Sequence, residues 1–226
     1  MDSKVATLER IPVGQVHIEG MLELPVNVKS IVLFAHGSGS SRHSKRNTYV
    51  ARVLQQNGIG TLLMDLLTPE EDADYPKRFD IPLLTHRLLA ATSWIKSEPQ
   101  TSHLPIGYFG ASTGAAAALQ AAAFSSGEIG AVVSRGGRPD MAGISALEKV
   151  QSPTLLIVGG WDEEVIALNR DAYEYLRCTK ELIIIPGATH LFMEPGTLEE
   201  AARQAAGWFT RYLVKVGKLG KKPSSN

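Results

Sequence analysis

From residue 31 onward the chain repeats one unit, a short apolar run followed by a stretch of helical periodicity. The runs are Ile31–Ala35, Gly60–Asp65, Ile106–Gly110, Ile129–Ser134, Thr154–Val158 and Glu181–Ile185. Runs this uniformly apolar belong to strands covered on both faces. The helical stretches are Thr48–Asn57, which stops at Gly58, Ile81–Ser97, the alanine-rich Thr113–Phe124, Val165–Leu176 and Leu198–Val214. Asp80 stands where it can cap the second of these, and Pro82 falls in its first turn. Strands alternating with helices imply an α/β fold: a mostly parallel sheet, right-handed crossovers and helices on both faces. Val16–Leu24 alternates in polarity around Glu19-Gly20 and reads as an antiparallel hairpin at the sheet edge, bringing the expected count to about eight strands.

The remaining segments are short. Thr68–Asp80 is acidic and is expected to be a surface loop. Between Ser134 and Thr154 there is room only for a loop and a short helix. Residues 1–214 are expected to form a single domain, and residues 215–226, with four lysines, a basic frayed tail.

Composition narrows the function classes. The apolar fraction is 44% and the charged fraction 20%, which suits a chain with a real core. Lys plus Arg and Asp plus Glu each number 23, so no basic footprint for nucleic acid stands out. The one cysteine, Cys178, excludes an internal disulfide or a cysteine-built zinc site. No His/Asp cluster has metal-ligand spacing, so neither metal nor cofactor is expected. Met1–Arg10 is polar and lacks the apolar core of a secretory signal, and no run is long enough to span a membrane. The expectation is a cytoplasmic protein, monomer or homodimer, whose partner is a small molecule.

The chemistry is carried by Gly110-Ala111-Ser112-Thr113-Gly114, which lies between a strand and an alanine-rich helix. G-x-S-x-G in that setting is a nucleophile elbow, a sharp turn that presents the serine hydroxyl at the carboxyl end of the sheet. Partners follow in the order that such sites use. Asp162 comes after the strand Thr154–Val158, and His190 after Glu181–Ile185. Both lie just beyond strand carboxyl ends, so residues far apart in sequence can converge. His190 would act as base for Ser112, and Asp162 would hold the imidazole. Glu163 and Glu164 are fallback acids; His17, His36, His43, His86 and His103 do not follow a late strand.

A second pattern, His36-Gly37-Ser38-Gly39, follows the first central strand. The backbone N–H groups of Ser38 and Thr113 are the expected oxyanion donors, with Gly37 letting the chain approach a substrate. A rival reading makes this stretch a phosphate loop with Asp65 as ribose acid. Arg42 stands there where a dinucleotide fingerprint needs Gly or Ala.

Together, His36-Gly37-Ser38-Gly39, Gly110-Ala-Ser112-Thr-Gly114, Gly159-Gly-Trp-Asp162 and Gly187-Ala-Thr-His190 resemble an α/β-hydrolase, and within that superfamily the dienelactone hydrolase family. The resemblance runs from about Val16 to Val214. It implies a compact fold without a cap, activity on esters or lactones, and a triad of Ser112, Asp162 and His190. The dienelactone-cleaving members carry a Cys nucleophile and a Glu in the loop after the third strand. Ser112 and His36-Gly37-Ser38 occupy those places here, which favours a serine esterase of the same build. Trp161, Leu191, Phe192 and Met193 flank the acid and the base as an acyl wall or as core. Arg135 and Arg138 follow the sixth strand and could clamp a substrate carboxylate, unless the segment is a solvated turn with Asp140 capping the next helix; Arg42 and His43 are similar candidates. The other readings of the same fold are a noncatalytic ligand-binding or scaffold protein and an acyltransferase using the same serine.

Overall fold

The computed structural model describes residues 5–125 and 127–214. Eight strands form one sheet: β1 (Val5–Val13), β2 (Val16–Leu24), β3 (Ser30–Ala35), β4 (Ile59–Met64), β5 (Ile106–Ala111), β6 (Ile129–Arg135), β7 (Thr154–Gly159) and β8 (Lys180–Ile185). Their spatial order is β1-β2-β4-β3-β5-β6-β7-β8. β1 and β2 are antiparallel to each other, β2 is antiparallel to β4, and the strands from β4 to β8 run parallel. The expected α/β-hydrolase architecture is therefore present.

Alternation along the buried strands divides the core into two layers. Val32 and Phe34 of β3 face α1 (Lys45–Gln56) and α7 (Thr197–Leu213), with Val50, Leu54, Ala205 and Phe209 packed between. Ile31, Leu33 and Ala35 face the layer of α3 (Ile81–Ser97), α4 (Thr113–Phe124) and α6 (Glu163–Tyr175). The alanines of α4 hold that helix close against the sheet, and Ala115–Ala118 are all fully buried. Asp80 caps α3 as expected, accepting from the Leu83 N–H at 3.0 Å.

Two expectations need correction. Val16–Leu24 is not a hairpin but one strand, paired along its length with Val5–Val13. The turn is Gly14-Gln15, with Gly14 at φ 60°, the positive value that a two-residue hairpin turn requires. Gly20 lies mid-strand because side chains cross over it. A Cβ there would stand 2.8 Å from Leu62 Cδ1. β1 escaped notice because it is an edge strand whose residues Ala6–Arg10 are mostly solvated; among its described side chains only Ile11 and Val13, beside the turn, are buried. The segment 68–80 is not a plain loop either. It forms α2 (Pro69–Ala73) and a 3-10 turn at Tyr75–Phe79. Thr68 and Glu71 make a reciprocal capping box, and Glu71 pairs with Arg87 of α3 at 2.5 Å.

Between β6 and β7 the chain makes a 3-10 turn (Pro139–Ala142) and α5 (Ile144–Leu147), with no cap domain among the described residues. No described helix is long and apolar enough to cross a membrane. The basic segment 215–226 lies outside the described residues.

Candidate active site

Ser112 is the hinge between β5 and α4, with φ 49° and ψ −124°. A non-glycine residue held there costs about 1–3 kcal/mol, which the surroundings must enforce. Neighbouring glycines show how. A Cβ at Gly110 would stand 2.7 Å from the Ala115 nitrogen, and one at Gly114 2.5 Å from the His36 carbonyl oxygen. Strand, helix and the β3 end thus meet where only hydrogen fits. Ser112 N–H donates to the Arg135 carbonyl at 3.4 Å, and its own carbonyl accepts from Arg138 N–H at 3.1 Å, fixing the bend to the β6 end. Among the described residues, the Ser112 hydroxyl makes no hydrogen bond.

Asp162 opens α6 but does not cap it. Its Oδ2 instead accepts from His190 Nδ1–H at 2.7 Å. That bond leaves His190 Nε2 as the ring's free nitrogen. Glu163 and Glu164, the fallback acids, are the first residues of α6, and neither is bonded to His190. The two loops are laced by backbone: Gly160 N–H donates to Ile185 O at 2.8 Å and Trp161 N–H to Ala188 O at 2.9 Å. Glu194 closes the histidine loop, accepting from Thr189 N–H at 2.9 Å and Thr189 Oγ1 at 2.8 Å. Those two bonds hold its carboxyl below the usual carboxylate range. Sequence reasoning missed this pin. Its only signal was a Thr followed five residues later by a Glu across a Pro/Gly-flanked turn.

Gly37 presses on the serine, since a Cβ there would lie 2.8 Å from Ser112 Cβ. The loop is held by His36, which the sequence reading set aside as the base and gave no other role. The buried ring accepts from Leu66 N–H at Nε2 (3.0 Å) and donates from Nδ1 to the Gly37 carbonyl (2.9 Å). A main-chain N–H can only donate, so Nε2 must be the unprotonated nitrogen and His36 is neutral. Burial pushes its pKa down accordingly. Ser38 N–H, an expected oxyanion donor, already donates to Thr113 Oγ1 at 2.9 Å. Thr113 N–H, the other, belongs to the first residue of α4 and has no partner within the helix.

Ser112 and His190 share a cavity of about 200 Å³ with Gly37, Ser38, Leu191 and Arg135. Of the expected arginines, only Arg135 lines it. Arg138 turns to Asp140, bonded twice at 2.9 and 2.8 Å, and so does not reach the cavity. Asp140 is therefore an ion-pair partner rather than a helix cap. Arg42 is held by Asp65 and Glu19, and this engagement of Asp65 removes the ribose acid that a dinucleotide reading needs. His43 is exposed. Of the four apolar flankers, Phe192 is core, 2% exposed, Leu191 (41%) lines the cavity, and Trp161 (68%) and Met193 (74%) stand in solvent without lining it. Arg135 lies 5.5 Å over the Phe192 ring. Cys178 follows α6, with its thiol pushed up in pKa by burial and 3.7 Å from Thr154 Oγ1, away from the cavity.

An eight-stranded sheet with a serine on a strained strand-to-helix bend defines an α/β-hydrolase. The family model of the dienelactone hydrolase family matches residues 18–214, and the chain belongs to that family. A dienelactone hydrolase from Anabaena variabilis ATCC 29413 is 55% identical, with a TM-score of 0.90 over 93% of this chain and 99% of that one. Est1E from Butyrivibrio proteoclasticus shares the fold, at 16% identity, with a TM-score of 0.76 over 90% of this chain and 98% of its own. Curated relatives in Mycobacterium tuberculosis, provisionally named phosphoribosyl transferases, are 54% identical over 93% of this chain. The chain spans about half the length of these relatives, 47%. The matched family is one of hydrolases, and the fold is that of an α/β-hydrolase.

Proposed function

We propose that the chain is a serine hydrolase of carboxylic esters or lactones. The observation that carries this reading is the 2.7 Å Asp162–His190 bond at a cavity that His190 shares with the strained Ser112. In the proposed cycle, Ser112 Oγ attacks the acyl carbon while His190 Nε2 takes the hydroxyl proton. Asp162 keeps the second ring nitrogen protonated and stabilises the imidazolium. The developing oxyanion is received by Thr113 N–H and by Ser38 N–H, the latter exchanging the Thr113 hydroxyl for the substrate oxygen. A preorganised donor of this kind is worth about 2.7–4 kcal/mol. Collapse breaks the bond to the alcohol oxygen, which leaves with the proton from His190. Water then releases the acyl group by the same steps in reverse order. The exposed Leu191 offers an apolar wall to one side of the ester.

The transferase name carried by the longer relatives describes proteins about twice the matched length, so it is compatible with a hydrolase in this half. Labelling with a fluorophosphonate probe tests the proposal. Wild-type protein should label stoichiometrically and Ser112→Ala not at all. A folded wild type that resists the probe and turns over no ester in a panel of short esters and lactones would favour the scaffold reading.

A further inference from the structure

Among the described residues, the deepest charged side chain at the site has no counter-ion. Arg135 is 6% exposed and lines the Ser112 cavity. Among the described residues its one side-chain hydrogen bond is to Asn47 Oδ1 at 3.3 Å, and its Nε is buried without a partner. Arg46 lines the same cavity from the first turn of α1, and its Nε is also buried without a partner. Among the described residues neither arginine pairs with a carboxylate, whereas Arg42, Arg78, Arg87 and Arg138 each do. Burial and the neighbouring Arg46 charge pull the Arg135 guanidinium down to about 10, so the two cations oppose each other as well as lacking an acid. Buried charges of this kind are ordinarily paired, because desolvation is costly. Ser38, Ser40, Ser44 and Asn47 also line the cavity; Ser44 Oγ caps α1, accepting from Asn47 N–H at 3.3 Å, and keeps its own hydroxyl proton to donate. The serine hydroxyls and the Asn47 amide can donate to a negative charge.

We infer that Arg46 and Arg135 form a subsite for a phosphate monoester carried by the substrate, beside the ester bond that Ser112 attacks. This rests on the hydrolase reading for what is cleaved, though not for what is bound. Two guanidinium groups match a dianion; a single carboxylate would leave one of them uncompensated. The phosphate is a handle and is not transferred.

The test has a binding arm and a turnover arm. In the first, inorganic phosphate replaces chloride at constant ionic strength and thermal unfolding is followed. Phosphate at about a hundred times its Kd should raise Tm by roughly 5–11 °C. The rise should disappear in Arg46→Ala and Arg135→Gln and persist in Arg138→Ala and Ser112→Ala. Arg46 is only half-buried, so its variant remains informative if the Arg135 variant does not fold. In the second arm, kcat/KM for the acetyl ester of glycerol 3-phosphate should exceed that for the acetyl ester of glycerol at least tenfold, and Arg46→Ala should bring the ratio close to one. No phosphate-dependent rise, an equal rise with acetate, a rise unchanged in Arg46→Ala, or equal kcat/KM for the two esters would each overturn the inference. Phosphate binding without hydrolysis of any ester would instead overturn the hydrolase reading alone.

Discussion

Gly114→Ala probes the contact on which the serine bend depends. The added methyl would stand 2.5 Å from the His36 carbonyl oxygen and nearer still to that of Ala35. An unstrained contact needs about 1 Å more. Neither side can yield cheaply. Ala35 is registered against Gly110 in the parallel ladder, and His36 is tied to Leu66 and to Gly37. Overpacking costs about 1–3 kcal/mol, and with backbone on both sides the upper end applies. Alanine returns about 0.8–1 kcal/mol of helix propensity to α4. The net loss is about 2 kcal/mol, or a fall in Tm of roughly 4–8 °C for a chain of this size.

Gly207→Ala in α7 is the matched control. Nothing lies within 4 Å of a Cβ there, so propensity acts alone and Tm should rise by roughly 2–4 °C. Urea and thermal melts of the two variants read the difference. Turnover reads the second consequence, because moving the Gly37–Ser38 loop by about 1 Å should lower kcat about a hundredfold in the folded fraction. A Gly114→Ala protein as stable as Gly207→Ala would refute the claim that this contact clamps the bend.

Asp162→Asn should lower kcat on a short p-nitrophenyl ester about 10⁴-fold by spoiling the His190 tautomer; retained turnover would point to Glu163 or Glu164 as the acid. His36 should make stability pH-dependent with a definite sign. Its native pKa lies below the ordinary 6.5, so as pH falls through that value the unfolded chain takes up a proton that the native state refuses. Stability is therefore full above about pH 6.5 and is lost below it, at up to about 1.4 kcal/mol per pH unit, until the native pKa is reached. Urea midpoints between pH 7.5 and 5.5 should fall less steeply in His36→Gln, and an unchanged slope would show that His36 is not held neutral.

The parallel core was legible because strands buried on both faces leave an uninterrupted apolar run. Ile81–Ser97 and Thr113–Phe124 agree with α3 and α4 at both ends because their starts carry strong local signals, Asp80 with Pro82 and the serine bend. β1 was illegible for the converse reason. An edge strand exposed over half its length has no pattern that separates it from a polar terminus, and Gly20 then drew the turn to the wrong place. The capping box at Thr68 and Glu71 was readable but was outweighed by the acidic, proline-containing segment around it.

At the site, Ser112, Asp162 and His190 could be placed because each follows a strand whose carboxyl end points to the same edge. What a charge does at that edge depends on what pairs with it, and pairing is only partly local. Arg138 has Asp140 two residues away, so its neutralisation was within reach of the sequence. Arg42 is tied by Asp65 and Glu19, on two other strands' ends or faces, and nothing in its own neighbourhood signals that. Arg135 is the opposite case. Gly136, Gly137 and Arg138 follow it as in any solvated turn, yet α1 and the Phe192 ring bury it, and Asn47 reaches it from 88 residues away. The same basic residue type thus yields two quenched surface pairs and one buried, uncompensated cation. Only the last can distinguish a charged substrate from a neutral one, because an arginine already satisfied by an acid gains little from a second anion, while one stripped of water and lacking a partner gains most of what its desolvation took away.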